Sequence, residues 1–305
     1  MMIANALGPV FLLIVIGAFL NRINLPGTDY WPGIERLTYY VLFPALLIHR
    51  LALAEFSLGS LGALSAVVMV SLLLVTGLMA LLYRFLRFNG ASMTSLYQGA
   101  IRFNTYIGLA VASALFGEAG VAQAALALGI MIPLVNVGCV LIFAWWVGEE
   151  GVNGRAVFIG LITNPLILAC AIGLLLNATL IGLPGWSAPT LQLLGSAALP
   201  LGLLAVGSAL NVKALGHDWG PVLMSSTLKF LVMPATLWAV AVMVGLSTLQ
   251  QQILVLIGCL PTASSAYILA RQLGGDASLM ATLITAQTLL AFAVLPLWMM
   301  VVVGG

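Results

Sequence analysis

Charge is scarce in this chain: eight acidic and ten basic residues make up 6% of 305, while 63% are apolar. A soluble domain carries about a quarter charged residues. An ordinary water-exposed surface is therefore excluded, and a mean hydropathy of +1.19 points to a membrane protein. The net charge of +2 is too small to argue for a nucleic-acid partner. Cysteine is nearly absent. Cys139, Cys170 and Cys259 stand singly in apolar runs, which argues against a disulfide framework or a metal site and leaves them as small core residues. Alternating apolar and polar residues are lacking as well; the apolar runs are long and continuous, against a closed β-barrel. Met1–Asn5 has no basic stretch and no small-residue cleavage site follows Phe11–Phe19, so the first hydrophobic segment is expected to stay as a helix. Paired intramembrane aspartates and a buried Ser–His pair are missing, so an enzyme is not expected. A Schiff-base photoreceptor on Lys229 would lack an acidic counter-ion at its depth. No cofactor is expected; a coupling Na⁺ or H⁺ is left open.

What the chain does have is ten apolar runs. They predict an all-α polytopic membrane protein with ten transmembrane helices, at about 3–21, 33–53, 59–86, 93–116, 120–147, 156–177, 189–210, 220–245, 250–272 and 279–302. Arg22, Arg36, Arg84, Arg87, Arg155, Lys213 and Arg271 lie beside the loops that follow the odd-numbered spans, against Arg50 alone on the other side. The positive-inside rule then puts both termini outside the cytoplasm of a bacterial-type inner (plasma) membrane. Trp31, Trp145, Trp146, Trp186, Trp219 and Trp298 fall near predicted helix ends, as interface anchors do.

The two halves of the chain echo each other. Pro9, Gly17, Asn21 and Pro44 recur as Pro165, Gly173, Asn177 and Pro200, each 156 positions on, and Thr105 and Gly117 recur as Thr262 and Gly274 at 157. Five helices per half is an odd number, so residues 151–305 are expected to form an inverted repeat of residues 1–150. Inverted repeats of this kind characterise secondary transporters, with the site where the halves meet near the midplane.

The polar residues that stand deepest cluster on spans 4 and 9, which are expected to be broken and to cross. In span 9 Pro261 removes a backbone donor, and Thr262, Ser264 and Ser265 follow it. In span 4 Asn104-Thr105 occupies the matching place, and Asn104 suits the N-cap of a second half-helix. Two such N-termini aimed at the protein centre favour an anion. All eight acidic residues fall in loops or near helix ends. Arg102 and Lys229 instead sit roughly 13 and 15 Å into a hydrocarbon slab about 30 Å thick. A cation there costs at least ~2.5–3.5 kcal/mol, so the pair calls for an anionic guest or a shifted lysine pKa. Asn136, three residues after Pro133, is expected to face the same cavity, whereas Gln287 is read as an interhelix hydrogen bond.

Asn104-Thr-Tyr-Ile-Gly-Leu, Leu260-Pro-Thr-Ala-Ser-Ser-Ala-Tyr-Ile-Leu-Ala-Arg-Gln-Leu-Gly-Gly-Asp276 and Asn164-Pro165 resemble the auxin efflux carrier family, which includes plant PIN auxin carriers and bacterial malate/malonate permeases. The resemblance spans essentially the whole chain. It implies crossing helices 4 and 9, a homodimer, a scaffold of helices 1, 2, 6 and 7 and a mobile unit of helices 3–5 and 8–10. It also implies that Asn104 and Asn136 help bind a substrate carboxylate. Phe103 stands where the family usually places proline. The combined expectation is a secondary transporter of small organic anions, carboxylates such as malate, malonate or auxin-like acids. It would work by elevator-type alternating access, with Arg102, Asn104, Thr105, Asn136, Lys229, Pro261, Thr262, Ser264 and Ser265 at the site. The rival expectation is a sodium-coupled symporter of the bile-acid type.

Overall fold

The structure, a computed structural model, describes residues 2–54, 58–85, 88–147, 159, 162–179, 181–211, 214–215 and 219–304. Glu55, Arg87, Glu149, Glu150, Arg155, Lys213 and Asp218, and the junction expected between the two halves, lie outside these. Among the described residues the chain is helical, without strands. The long helices are α1 (Met2–Arg22), α4 (Leu58–Phe85), α6 (Thr105–Trp146), α8 (Ser187–Ser208) and α13 (Ala277–Gly304). Shorter ones are α2 (Trp31–Leu37), α3 (Phe43–Ala52), α5 (Gly90–Ile101), α7 (Pro165–Ala178), α9 (Trp219–Thr227), α10 (Met233–Val244), α11 (Thr248–Gly258) and α12 (Ser265–Gln272). By length and composition six stretches are fit to cross a bilayer: Asn5–Arg22, Leu61–Phe85, Gly90–Trp146, Ser187–Ser208, Trp219–Val244 and Ala277–Val303. Their outer faces present Leu12, Phe19, Leu73, Leu193 and Met243, 58–84% exposed. Water would penalise so much apolar surface and lipid does not, which makes the chain a multi-pass membrane protein.

Local sequence sets the helix boundaries. Asn89 caps α5 by accepting from Ser92 N at 2.8 Å, and Ser247 with Gln250 forms a capping box on α11. Asn164 accepts from Leu166 N and Ile167 N at 3.0 and 3.2 Å, with Pro165 at the first helical position of α7. Two π-turns, Thr38–Leu42 and Leu228–Val232, each stand just before a proline, Pro44 and Pro234. A proline cannot bond the carbonyl four residues back, and the wider turn absorbs the misfit. For Pro234 that carbonyl is Phe230 O, and Trp298 Nε1 donates to it at 2.6 Å. Trp298, expected as an interface anchor, thus spends its N–H inside the protein. Trp31 also departs from that expectation: it is 7% exposed, packed inward at the start of α2.

The chain gathers into two compact units. The first comprises Met1–Leu58, Tyr106–Gly129 and Ile159–Leu210. Here α1 packs on α8, and α3 on α7 and α8. Glycines make the approaches close: a Cβ on Gly17 would collide with Leu204 O, and one on Gly173 would meet Ile48 Cα and O at 3.3 Å. Asn21 Nδ2 donates to Ser208 O at 2.9 Å; Asn177 Nδ2 donates to Ala52 O at 3.2 Å, and also to Leu51 O and Ala54 O at 3.1 and 2.7 Å. These contacts pair off. Gly17 and Gly173, Leu204 and Ile48, Asn21 and Asn177, and Ser208 and Ala52 are each separated by 156 positions. The same two contacts are therefore made twice with the halves exchanged.

The second unit comprises Gly59–Thr105, Ile130–Phe158 and Asn211–Gly305. It holds α4, α5, the distal part of α6 and α9–α13. Ser92 Oγ donates to Asp276 Oδ2 at 3.0 Å, Ser95 Oγ to Asp276 O at 2.9 Å, and Asp276 N to Ala91 O at 3.1 Å, which ties the start of α5 to the start of α13. Gly117, inside α6, and Gly274, after α12, have φ of 61° and 75°, and they lie 157 positions apart. At both, the left-handed backbone suits glycine alone.

Candidate functional site

Two helices of the second unit stop in mid-course. α5 ends at Ile101, and Arg102, Phe103 and Asn104 run on without helical structure before α6 begins at Thr105. α11 ends at Gly258, and the chain resumes as helix only at Ser265. The second interruption has the expected cause: Pro261 has no N–H to continue the ladder. The first has no proline, and its cause lies in tertiary hydrogen bonds. In a continuous helix Gly99 O would accept from Phe103 N. Here it accepts instead from Thr262 Oγ1 at 3.0 Å and from Gln287 Nε2 at 3.1 Å. Asn104 N, which would reach back to Ala100, donates to Pro261 O at 2.8 Å. One interruption thus holds the other open.

Gln287 is the hub of this junction. It is fully buried; its Oε1 accepts from Thr262 N at 3.1 Å and lies 2.6 Å from Thr262 Oγ1, whose one hydrogen it shares with Gly99 O, while its Nε2 also reaches Ser225 Oγ at 3.4 Å. Thr262, expected at the binding site, is 0% exposed with its hydroxyl already engaged, and so acts here as a bolt between the two interruptions. Pro261 is buried beside it and offers its carbonyl to Asn104. Asn104 is 4% exposed and immediately precedes α6; Thr105, the first residue of that helix, is half-buried.

Arg102 is half-buried and turned toward a polar group. Its Nη1 donates to Asn136 Oδ1 at 3.1 Å, with Cys139 Sγ at 3.9 Å, and its Nη2 donates to Ser265 Oγ at 3.1 Å. Ser265 is exposed and opens α12, with half-buried Ser264 just before it. Arg50 forms an ion pair with Glu118, and neither residue is a partner of Arg102. The guanidinium stands beside the N-terminal, positive end of α12, and it has no ion pair with a carboxylate among the described residues. A site with two positive sources and hydroxyl and amide groups around them can hold a carboxylate, which accepts from all of them.

Lys229 lies elsewhere. It is 0% exposed in the π-turn, its Nζ is 5.8 Å from the centroid of the Phe103 ring, and it makes no hydrogen bond to a described residue. It shares no partner with Arg102. The structure therefore brings together Arg102, Asn136 and Ser265, with Asn104, Thr105 and Ser264 on the adjoining backbone, and sets Thr262, Pro261 and Lys229 in the packed junction behind. Gly99 and Ser225, which also bond at this junction, were not among the expected residues. A glycine one turn before a suspected interruption is the signal that would have found the first.

The family profile described as "Membrane transport protein" matches residues 152–299. The chain is 26% identical over 302 residues to an uncharacterized transporter of Methanothermobacter thermautotrophicus, covering 96% of each, and 26% identical over 304 residues to one of Methanocaldococcus jannaschii, covering 95% of each. Over 103 residues it is 32% identical to the ileal sodium/bile acid cotransporter of Oryctolagus cuniculus, a stretch that covers 32% of this chain and 29% of that protein.

Proposed function

We propose that this chain, whose residues 152–299 match the membrane transport protein profile and which resembles two archaeal transporters along nearly its whole length, is a secondary transporter that moves small organic anions, carboxylates above all, by alternating access. The observation that carries this reading is the guanidinium of Arg102 at the start of α12, bonded among the described residues to the neutral Asn136, Ser265 and Cys139. A membrane-embedded cation with neutral partners costs energy until an anion arrives. Asn104, Thr105 and Ser264, at or beside the starts of the second half-helices, orient the guest through amides and hydroxyls. Thr262 and Pro261 hold the half-helices apart, and Lys229 adds positive potential from behind.

The finer architecture belongs to the same reading. Ten spans form two inverted five-helix repeats, and the twofold occurrence of the Gly17–Leu204 and Asn21–Ser208 contacts at a 156-residue spacing supports this. Helices 1, 2, 6 and 7 of that count form a scaffold, and the helices with the interruptions carry the guest between the two sides of the inner membrane in an elevator motion. Both termini lie outside the cytoplasm and two copies associate as a homodimer. An inside-negative potential moves a single uncompensated negative charge outward by ~2.3 kcal/mol per 100 mV, so uniport favours export. The partial likeness to ileal sodium/bile acid cotransporters favours one alternative, a sodium-coupled anion symporter. The test is a ligand-stabilisation screen of mono- and dicarboxylates on purified protein, with and without Na⁺ and at two pH values. Stabilisation by a carboxylate but not by its neutral amide is expected. A protein indifferent to every organic anion in the screen would overturn the reading.

A further inference from the structure

The first interruption holds its middle residue by a side chain. Arg102 N donates to Gln98 O and Asn104 N to Pro261 O, both at 2.8 Å. Between them Phe103, 6% exposed, turns its ring to Lys229, whose Nζ lies over it at 5.8 Å from the centroid. Lys229 is itself 0% exposed, on the π-turn Leu228–Val232. The packing of α5 on α9 and on that turn prepares the meeting. One helical turn earlier on each element, a Cβ on Gly99 would stand 2.3 Å from Ser225 Oγ, which donates to Leu96 O at 3.1 Å. The same seam, continued four residues along both elements, brings Phe103 to Lys229. The chemistry of the pair fits. An aromatic face is negative, and an ammonium over it within about 6 Å is attracted, more strongly where water is excluded. Among the described residues no hydrogen-bond acceptor takes a proton of this Nζ, and the ring face is the complement that the structure gives its charge.

Arg102 has an extended backbone, with φ −72° and ψ 151°. In extended chain successive side chains leave on opposite sides. Phe103 goes to Lys229, and Arg102 goes to Asn136 and Ser265. Holding the ring therefore sets the direction of the guanidinium. We infer that Lys229 is a positioning residue: its ammonium clamps the face of Phe103 and, through one peptide unit, aims Arg102 at the anion. The anion belongs to the transport reading above, on which this second step rests; the clamp itself is tested without any guest.

The test replaces Phe103 in the full chain by phenylalanine bearing one, two or three ring fluorines, in wild-type and in Lys229→Met protein. Fluorine drains negative charge from the ring face while leaving its shape and apolarity nearly as they were, so packing alone gives no trend. Two quantities are read: amide hydrogen exchange of residues 102–104 in the ligand-free protein, and the Kd for malonate from the rise of Tm with its concentration. With Lys229 present, exchange is expected to quicken and Kd to rise with each fluorine, each by up to about tenfold over the series. Amides of α1 and α8 are expected to exchange as before, and in Lys229→Met neither quantity should follow the fluorine count. Exchange that ignores the fluorine count, or follows it equally in Lys229→Met, overturns the clamp. Exchange that follows it while Kd stays constant overturns the positioning role. Should Lys229→Met not fold, Lys229→Gln serves as the neutral partner. A wild-type protein that binds neither malonate nor any other carboxylate sinks the transport reading, and the ligand-free exchange series then decides the clamp by itself.

Discussion

Replacing Arg102 with glutamine removes the charge and keeps a hydrogen-bonding amide at the entrance to α12. In the structure the guanidinium uses one donor on Asn136 and one on Ser265, both at 3.1 Å. Its remaining donors are those that an arriving carboxylate would take. Hydrogen bonds to charged groups contribute about 1.5–3 kcal/mol each, and the half-buried position puts this pair at the lower end of the range for two bonds. Losing roughly 2–3 kcal/mol raises Kd about 30- to 150-fold. Arg102→Glu adds repulsion and is expected to abolish binding. The two bonds to neutral partners contribute only about 0.5–1.5 kcal/mol each to the fold, so both variants are expected to remain folded with Tm lowered by a few degrees. The assay is the rise of Tm with dicarboxylate concentration at constant ionic strength, checked by radiolabelled ligand binding. A folded Arg102→Gln protein with wild-type affinity would refute the assignment of Arg102 to the anion.

Three further outcomes are expected. Thr262→Val, nearly isosteric, removes the hydroxyl that holds Gly99 O and Gln287; a loss of about 1–3 kcal/mol in thermal stability together with weaker anion binding is expected, and an unchanged Tm would show that the bolt is not needed. Asn177→Ala strips a donor from three carbonyls and Asn21→Ala from one, so the first is expected to cost about 2–3 kcal/mol and the second about 1; equal costs in parallel melts would contradict that difference. The Arg50 guanidinium, bonded to Glu118, holds that carboxyl below its ordinary range. The pair therefore stabilises the fold above the unfolded-state carboxyl value and is lost as pH falls through the lower folded one; with Glu118 80% exposed the effect is within about 1 kcal/mol, and Glu118→Gln should remove it from an acid titration of Tm.

The helices were legible because continuous apolar runs leave few other choices for a chain with this little charge. The interruption at Pro261 was legible too, since a missing N–H is a local fact. The one at Arg102–Asn104 was only half so: Asn104 signalled a new helix start, but the side-chain bonds from Thr262 and Gln287 to Gly99 O come from far along the chain and leave no mark in the neighbourhood of Phe103. Arg102 and Asn136 could be singled out by depth and charge, and the structure puts them 3.1 Å apart. Thr262 and Ser265 looked alike in sequence, three residues apart on one polar stretch, yet one is sealed and the other exposed, a difference that only packing decides. Trp298 misled for the same reason: an indole near a helix end suits an interface anchor and a buried donor equally well.

The single bond from Asn104 N to Pro261 O has a consequence for symmetry. The two residues stand 157 positions apart, the spacing that also relates Thr105 to Thr262. A faithful duplicate would return a second bond about a local axis, but a proline has no hydrogen to give. The two interruptions are therefore unlike at their meeting point, one lending an amide hydrogen and the other only a carbonyl, and an imino acid at position 261 is what breaks the tie.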